Sequence, residues 1–196
     1  MSRRVGVCAR VMGLALIVAL LSLVAAAPAC AGVEEGILNI HATFSGDPRR
    51  QVTVSWRTHQ ALERPAVRFG PADAAQDAWK TVREGETVVS EGGFNHHVEL
   101  ADLEPGTRYA YRVSGPDGAS GPLCRFRTAP DQREPFTFAV VGDVQGYERP
   151  SKKWQKLGRY ITEKDVAFVL QLGDMVQTGG VQAQWDAFFN STSPEL

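Results

Sequence analysis

Seven short segments of alternating hydrophobicity constrain the fold of this 196-residue chain more than any other feature of its sequence. They lie between Ile37 and Thr128 and read ILNIHATFS, QVTVSWRTH, PAVRFG, WKTVREG, NHHVEL, TRYAYRVSG and LCRFRTA. In the second segment Val52, Val54 and Trp56 alternate with polar residues, which is the pattern of a strand that buries one face. Residues 34–129 are therefore predicted to form a domain built from β-strands.

Seven strands within roughly 90 residues are typical of an immunoglobulin-like β-sandwich. The connection ADLEPGTRYAY adds a more specific signal. Leu103 is expected to pack inward, Pro105 and Gly106 to turn the chain, and Tyr109 to form a hydrogen bond back across the corner. This arrangement resembles the tyrosine corner of fibronectin type III-like domains, so the predicted fold is an all-β immunoglobulin or fibronectin III-like sandwich.

Two polar features of this region are interpreted as structural. His96 and His97 are adjacent, and alternation along a strand directs their side chains to opposite faces, so they are not expected to share one ion. The stretch Gly46-Asp47-Pro48 has the composition of a hairpin turn. Neither feature is assigned any chemistry.

The first 31 residues have the pattern of a secretory signal peptide. Three arginines, Arg3, Arg4 and Arg10, precede an apolar stretch over residues 11–27, and small residues follow. Cleavage is expected after Ala29 or Ala31; an uncleaved anchor and lipoprotein processing before Cys30 are the alternatives. The mature chain is predicted to be secreted or periplasmic, with no membrane attachment after cleavage.

Charge and cysteine content exclude some classes of protein. The chain has 21 basic and 22 acidic residues, without a basic stripe interleaved with aromatic residues, so nucleic acid is not an expected partner. Of the three cysteines only Cys124 is certain to remain after cleavage, which implies no disulfide framework. The sequence leaves the oligomeric state open.

A different style of sequence follows a polar linker at residues 130–135. The segments FTFAVVGD and VAFVLQLGD are almost continuously apolar, which is typical of parallel strands covered on both faces. Between them SKKWQKLGRYITEK is expected to form a helix, with Ser151 as N-cap and Trp154, Leu157 and Ile161 on one face. The unit is predicted to be a right-handed βαβ crossover.

An aspartate follows a glycine at the end of each apolar run. Asp143 comes after Gly142, and Asp174 comes after Gly173. If the strands are parallel neighbours, both carboxylates lie at the carboxyl edge of the sheet, where open α/β sheets bind ligands. Two carboxylates that close repel one another unless a cation lies between them, so the pair predicts a metal site. Each aspartate alone has the simpler interpretation of a turn residue or helix cap.

These motifs resemble those of a known enzyme superfamily. VVGDVQGY, LQLGDMVQTGG and QWDAFF are similar to the first two motifs of the calcineurin-like metallophosphoesterases, and the upstream VTVSW, HHVEL and DLEPGTRYAYRV resemble the purple acid phosphatase branch. The resemblance implies that residues 136–196 begin the catalytic domain, that Asp143 ligates a first metal ion and that Asp174 bridges two. The ions would activate water for attack on the phosphorus of a phosphate ester.

The sequence departs from the family pattern at two positions. Gln145 stands where the family often has histidine, and it is a weaker candidate ligand that can instead bind water. Gln177 stands where purple acid phosphatases have the tyrosine that binds ferric iron and gives the colour, so the metal pair is left open among Fe, Zn and Mn.

The remaining ligands of such a site are missing from the sequence. A two-ion centre needs more ligands than Asp143, Asp174 and Gln145 supply. The family adds an Asn-His motif and later histidines, yet every histidine of this chain precedes Asp143. A second helix near the end also carries an aromatic face that is expected to be exposed. The chain is therefore expected to be C-terminally truncated and inactive or nearly so.

Other functions remain open at this stage. The sandwich suits a non-catalytic binding module for a polymer, surface or partner protein, since such folds host many roles. A pseudoenzyme that binds one ion weakly is a third hypothesis. The sequence does not distinguish monoester, diester and nucleotide substrates.

Overall fold

The computed structural model describes residues 36–82, 85–146 and 152–192. The predicted signal peptide and the predicted N-cap Ser151 lie outside these residues. Within them, no helix is both long and apolar enough to cross a bilayer. The strands are β1 Ile37–Thr43, β2 Val52–Thr58, β3 Val67–Pro71, β4 Lys80–Val82, β5 Gly85–Ser90, β6 Gly93–Leu100, β7 Arg108–Val113, β8 Cys124–Arg127, β9 Ala139–Val141 and β10 Val169–Gln171. The helices are α1 Lys152–Thr162 and α2 Gln182–Asn190, and short 3₁₀ turns occur at Gln76–Ala78 and Pro116–Gly118.

The first eight strands form a β-sandwich, as predicted. One sheet has the order β1-β2-β6-β5 and the other β4-β3-β7-β8, with antiparallel pairing throughout. This is the order of an immunoglobulin-like sandwich with one additional edge strand. The sequence predicted seven strands and missed β5, which has five exposed residues and one half-buried residue and therefore no clear alternation.

The space between the sheets is filled by apolar side chains. Val54, Val98 and Leu100 are fully buried, and Trp56 is 1% exposed. Trp56 and His96 are register partners on β2 and β6, and their rings lie 5.1 Å apart. A continuous apolar cluster therefore joins the two sheets and stabilises the sandwich by burial.

The predicted tyrosine corner is confirmed. The backbone amide of Glu104 donates to the hydroxyl of Tyr109 at 2.9 Å. Leu103 is 2% exposed, so it packs inward as expected. Gly106 has a φ of +64°, a left-handed conformation that glycine adopts without strain. The corner thus fixes the chain as it enters β7.

The adjacent histidines have different environments. His96 is fully buried and bonds the hydroxyls of Thr58 at 2.8 Å and Thr87 at 2.9 Å. Its burial lowers its pKa to about 4, with a smaller contribution from the charge of His97. His97 instead bonds the hydroxyl of Ser55 at 2.8 Å. The two rings therefore have separate hydrogen-bonding partners.

The stretch Gly46-Asp47-Pro48 lies in the turn between β1 and β2, as predicted. The carbonyl of Asp47 accepts hydrogen bonds from the amides of Arg50 at 2.9 Å and Gln51 at 2.8 Å. Its carboxylate bonds the guanidinium of Arg49, which lowers the pKa of Asp47. These bonds account for the aspartate as a turn residue.

Residues 136–192 contain the predicted strand–helix–strand unit. Strands β9 and β10 pair in parallel, with Val141 opposite Gln171, and α1 connects them along the chain. Both helices contribute to one small cluster of buried residues: Val141, Val144, Trp154, Ile161 and Phe188.

The prediction that these two strands are covered on both faces is wrong for the described residues. Val140, Leu170 and Leu172 are 52%, 47% and 68% exposed. The physical reason is that the buried residues of α1 and α2 join a single cluster with Val141, so the helices cover one side of the strand pair. The other side remains an apolar surface.

Helix α2 packs against the sandwich, which the sequence did not predict. Phe189 stacks on His41 of β1 with ring centres 4.5 Å apart. The backbone amide of Asn39 donates to the side-chain oxygen of Asn190 at 2.8 Å, and the Asn39 side chain donates to Asp186 at 2.7 Å. The expectation of an exposed aromatic face on this helix is therefore wrong, because the helix packs on β1 and on the small cluster.

Candidate metal centre

Two backbone hydrogen bonds hold the ends of β9 and β10 together beyond the ladder. The amide of Leu172 donates to the carbonyl of Val141 at 2.8 Å, and the amide of Gln145 donates to the carbonyl of Asp174 at 2.9 Å. Between these two bonds the segment after β9 contains the three residues 142–144, whereas the segment after β10 contains only Gly173. The longer segment must bulge, and Asp143 is its central residue.

The backbone at both aspartates is left-handed. Asp143 has a φ of +55° and Asp174 a φ of +51°, and Gly173 before it has a φ of +119°. Two successive residues of positive φ turn the chain sharply after β10, and the first of them requires glycine. Both aspartates are exposed to solvent.

Left-handed backbone does not by itself identify the site. Six residues other than glycine have positive φ among those described, and all of them are aspartate or asparagine: Asn39, Asp102, Asp117, Asp143, Asp165 and Asp174. These side chains tolerate the conformation better than others do. The conformation is therefore consistent with the turn-residue interpretation as well as with a metal site.

Gln145 is bonded to Asp174 through its side chain as well as its backbone. Its amide nitrogen donates to the Asp174 carboxylate at 3.1 Å. Its side-chain oxygen, Oε1, is buried and has no hydrogen-bond partner. A buried acceptor left without a donor costs about 1–3 kcal/mol, so a cation or a donated hydrogen at this position would be stabilising. This orphaned oxygen beside a carboxylate fits a metal site.

The structure places the three predicted ligands at the same end of the strand pair. It brings Gln145 and Asp174 into contact, and it places Asp143 in the bulge opposite Gly173. Across the described ranges, no three histidine, cysteine, aspartate or glutamate side chains come together as a ligand set. The metal centre therefore stays a prediction.

Sequence reasoning missed two features of this site. It considered Gln145 as a ligand but not as a hydrogen-bonding partner of Asp174, because the bulge that brings them together has no signal in residue spacing. It also passed over Gln171, whose buried Oε1 has no partner within the described part of the chain. A glutamine inside an otherwise apolar strand was the available signal for the latter.

Comparisons with known proteins match both the sandwich and a longer part of the chain. Residues 37–128 match the family described as the N-terminal domain of purple acid phosphatase. Purple acid phosphatase 22 of Arabidopsis thaliana is 31% identical over 160 residues, which cover 79% of this chain and 34% of the relative. Purple acid phosphatase 21 of the same plant is 27% identical over 152 residues, or 76% of this chain and 32% of the relative.

A solved structure, that of PhoD, resembles the chain with a TM-score of 0.55. The match has 19% sequence identity and covers 82% of this chain and 36% of that one. At this identity the likeness concerns the fold alone. The chain spans about a third of the length of the relatives that it matches.

Proposed function

We propose, from the match of residues 37–128 to the N-terminal domain of purple acid phosphatase, that the chain is part of a metal-dependent phosphoesterase whose metal ligands include Asp143 and Asp174. In this proposal residues 34–129 are the accessory sandwich, 130–135 the linker and 136–196 the start of an α/β metallophosphoesterase domain. The observation that carries the proposal is the joined pair of parallel strand ends, each with a Gly-Asp sequence, directly after the family domain.

The three residues have distinct roles in the proposed site. Asp143 and Asp174 supply carboxylate oxygens, which are suitable ligands for Fe, Zn or Mn. Gln145 orients Asp174, since its amide occupies one carboxylate oxygen and leaves the other for a metal. Its orphaned Oε1 is available to a metal or to a water molecule. A metal pair would supply a Lewis acid that neutralises charge on the phosphoryl oxygens of the substrate.

The proposed substrate is a phosphate ester, by analogy with the two plant relatives, which are named as phosphatases. Two observations support the extension beyond the sandwich. The matches to the plant enzymes cover 79% and 76% of the chain, which is more than the family domain occupies. The likeness to PhoD also covers 82% of it. Export through residues 1–31 belongs to the same proposal, and sequencing the N-terminus of the protein recovered from culture medium or periplasm tests it.

Metal binding by the full chain tests the proposed centre. Mn²⁺ titration, followed by electron paramagnetic resonance of the free ion, should show binding that is lost in Asp174→Asn and at least tenfold weaker in Asp143→Asn. Gln145→Ala should weaken binding less than either, because it removes an orienting hydrogen bond and leaves both carboxylates in place.

Asp117→Asn is the matched control. Asp117 is an exposed aspartate with left-handed backbone, φ +53°, but it lies in the sandwich. This variant should bind Mn²⁺ like the parent chain. Equal binding by the parent, Asp143→Asn and Asp174→Asn would refute the metal centre and with it the proposed function. Turnover of a chromogenic phosphomonoester, with added Mn, Zn or Fe, is then compared between the parent chain and Asp174→Asn.

A further inference from the structure

A cavity of about 220 Å³ lies between the outer face of the sheet β1-β2-β6 and helix α2. It is partly open to solvent, and neither Asp143 nor Asp174 lines it. With about 30 Å³ for each water molecule, its volume corresponds to roughly seven waters. That is room for a single small molecule or one unit of a polymer.

The sheet side of the cavity is polar. His41, Ser55 and His97 are successive register partners on β1, β2 and β6, so they form one row across three strands. The short serine between the two imidazoles leaves space above it, and the cavity occupies that space. Asn95, two residues before His97 on the same face, adds an amide to this wall.

The hydrogen bonds of the row leave ring nitrogens available. The Nδ1 of His41 donates to the carbonyl of Asn39 at 2.7 Å, because a carbonyl only accepts. In the neutral ring the Nε2 of His41 is then an acceptor, and burial lowers the pKa of His41 and favours that neutral form. His97 uses its Nδ1 for Ser55 and likewise retains Nε2. The row therefore offers ring nitrogens as hydrogen-bonding groups on the polar wall.

The helix side of the cavity is largely aromatic. Trp185 and Phe189 line it, and the indole nitrogen of Trp185 is fixed by a bond to the carbonyl of Gly179 at 2.8 Å. Gln182 also lines this side, and its amide nitrogen donates one hydrogen bond to Asp186 at 2.9 Å. One wall is thus apolar and the opposite wall polar.

This lining selects a class of ligand. None of the described residues that line the cavity is a lysine, arginine, aspartate or glutamate, so a charged ligand would be desolvated there without a partner from this lining. A flat aromatic ligand has two equivalent apolar faces, so it would complement the aromatic wall but not the polar wall. A pyranose ring has hydroxyls for the imidazoles and amides and a C–H face for the aromatic rings. We propose that this cavity is a binding site for a neutral sugar unit, formed jointly by the sandwich and α2.

The test uses the full chain in buffer with EDTA, so that its outcome is independent of the proposed metal centre. Methyl β-glucopyranoside, methyl α-mannopyranoside and methyl β-galactopyranoside are screened by saturation-transfer NMR and titrated calorimetrically. At least one pyranoside should bind. Asn95→Ala should weaken that binding about tenfold, because it removes a hydrogen bond in a partly desolvated site.

Glu99→Ala is the control, since Glu99 lies on the same strand and face as Asn95 but outside the cavity. It should leave affinity unchanged. Gln182→Ala, from the helix side, serves as a second variant if Asn95→Ala has an altered thermal melt. Absence of pyranoside binding, equal affinity in the Asn95→Ala and Gln182→Ala variants, equal competition by glycerol, or binding of adenosine in place of sugar would each overturn the proposal.

Discussion

The sandwich and the segment after it bury their apolar residues in different ways. In the sandwich two sheets face each other, and fourteen buried residues form one cluster. In residues 136–192 five buried residues form the cluster, while three phenylalanines at 136, 138 and 168 pack on one another. Phe136 and Phe138 are 64% and 46% exposed. The sandwich buries its apolar side chains between its own two sheets, whereas the later segment depends on neighbouring surfaces to bury its apolar side chains.

This difference concerns stability as well as architecture. Burial of apolar area is the main stabilising term of a small domain, and it is concentrated in the sandwich. The later segment gains support from α2, which contacts β1 through His41 and Asn39. We therefore expect substitutions in the sandwich to affect both regions, and substitutions in the later segment to act locally.

The largest expected effect is a contrast between two leucines. Leu100 is fully buried between the sheets, and Leu172 is 68% exposed after β10. Leu100→Ala should lower the free energy of unfolding by about 2–5 kcal/mol, because it leaves a cavity in a packed core. Leu172→Ala should change it by less than about 0.5 kcal/mol. Urea unfolding followed by circular dichroism measures both.

Equal decreases in the free energy of unfolding for Leu100→Ala and Leu172→Ala would contradict this contrast. They would indicate that the open side of β9 and β10 is covered in solution. Sedimentation at several protein concentrations would then show whether a second copy of the chain provides that cover.

A smaller effect is expected where the two regions meet. Asn39 has a φ of +57° in a bulge of β1, and its side chain donates to Asp186 of α2. Asn39→Gly keeps the left-handed backbone accessible and removes the side-chain bond, which contributes about 0.5–1.5 kcal/mol.

Hydrogen exchange resolves this effect by region. In Asn39→Gly the amides of α2 should exchange several-fold faster, while those of β2 and β6 keep their protection. Asp117→Gly is the control, because Asp117 also has a positive φ but lies away from α2. Faster exchange throughout the sandwich would show that α2 stabilises the whole chain and not a local contact.

A third expected effect is a dependence of stability on pH that arises in the sandwich. Burial lowers the pKa of His96 from 6.5 to about 4, so between these values the unfolded chain binds the proton and the folded chain does not. Stability should therefore fall as the pH decreases from about 6.5 to about 4 and level off below. His96→Gln should flatten this part of the curve, measured as thermal unfolding across that range.

His59 provides the control for this experiment because its side chain is exposed. His59→Gln should leave the slope unchanged. A parent-like slope in His96→Gln would assign the pH dependence to another group, with His41 the next candidate, since burial lowers its pKa as well.

Local patterns in the sequence predicted most of the sandwich. Alternation identified the strands that bury one face, and the corner residues Leu103 and Tyr109 have the roles expected of them. Strand β5 was missed because an edge strand with exposed side chains needs no apolar alternation. Its position depends on pairing with β6, which is a contact with another part of the chain.

The later segment shows what local patterns omit. The parallel pairing of β9 and β10 was predicted from their apolar runs, but the packing of α2 on β1 joins residues about 150 positions apart. The contact between Gln145 and Asp174 likewise depends on a bulge that residue spacing does not encode. Both features arise from the way separate elements meet.

The bulge at Asn39 has a consequence for how copies of this chain treat one another. An outermost strand presents unpaired backbone groups that can recruit a foreign strand and seed a fibril. Here the backbone amide of Asn39 is already bonded to the side chain of Asn190. The left-handed conformation of Asn39 also interrupts the regular hydrogen-bond ladder that an added strand would need. Helix α2 therefore protects the edge strand β1 against pairing with a strand of another copy. Detaching the helix would expose backbone groups at which a fibril could start to grow.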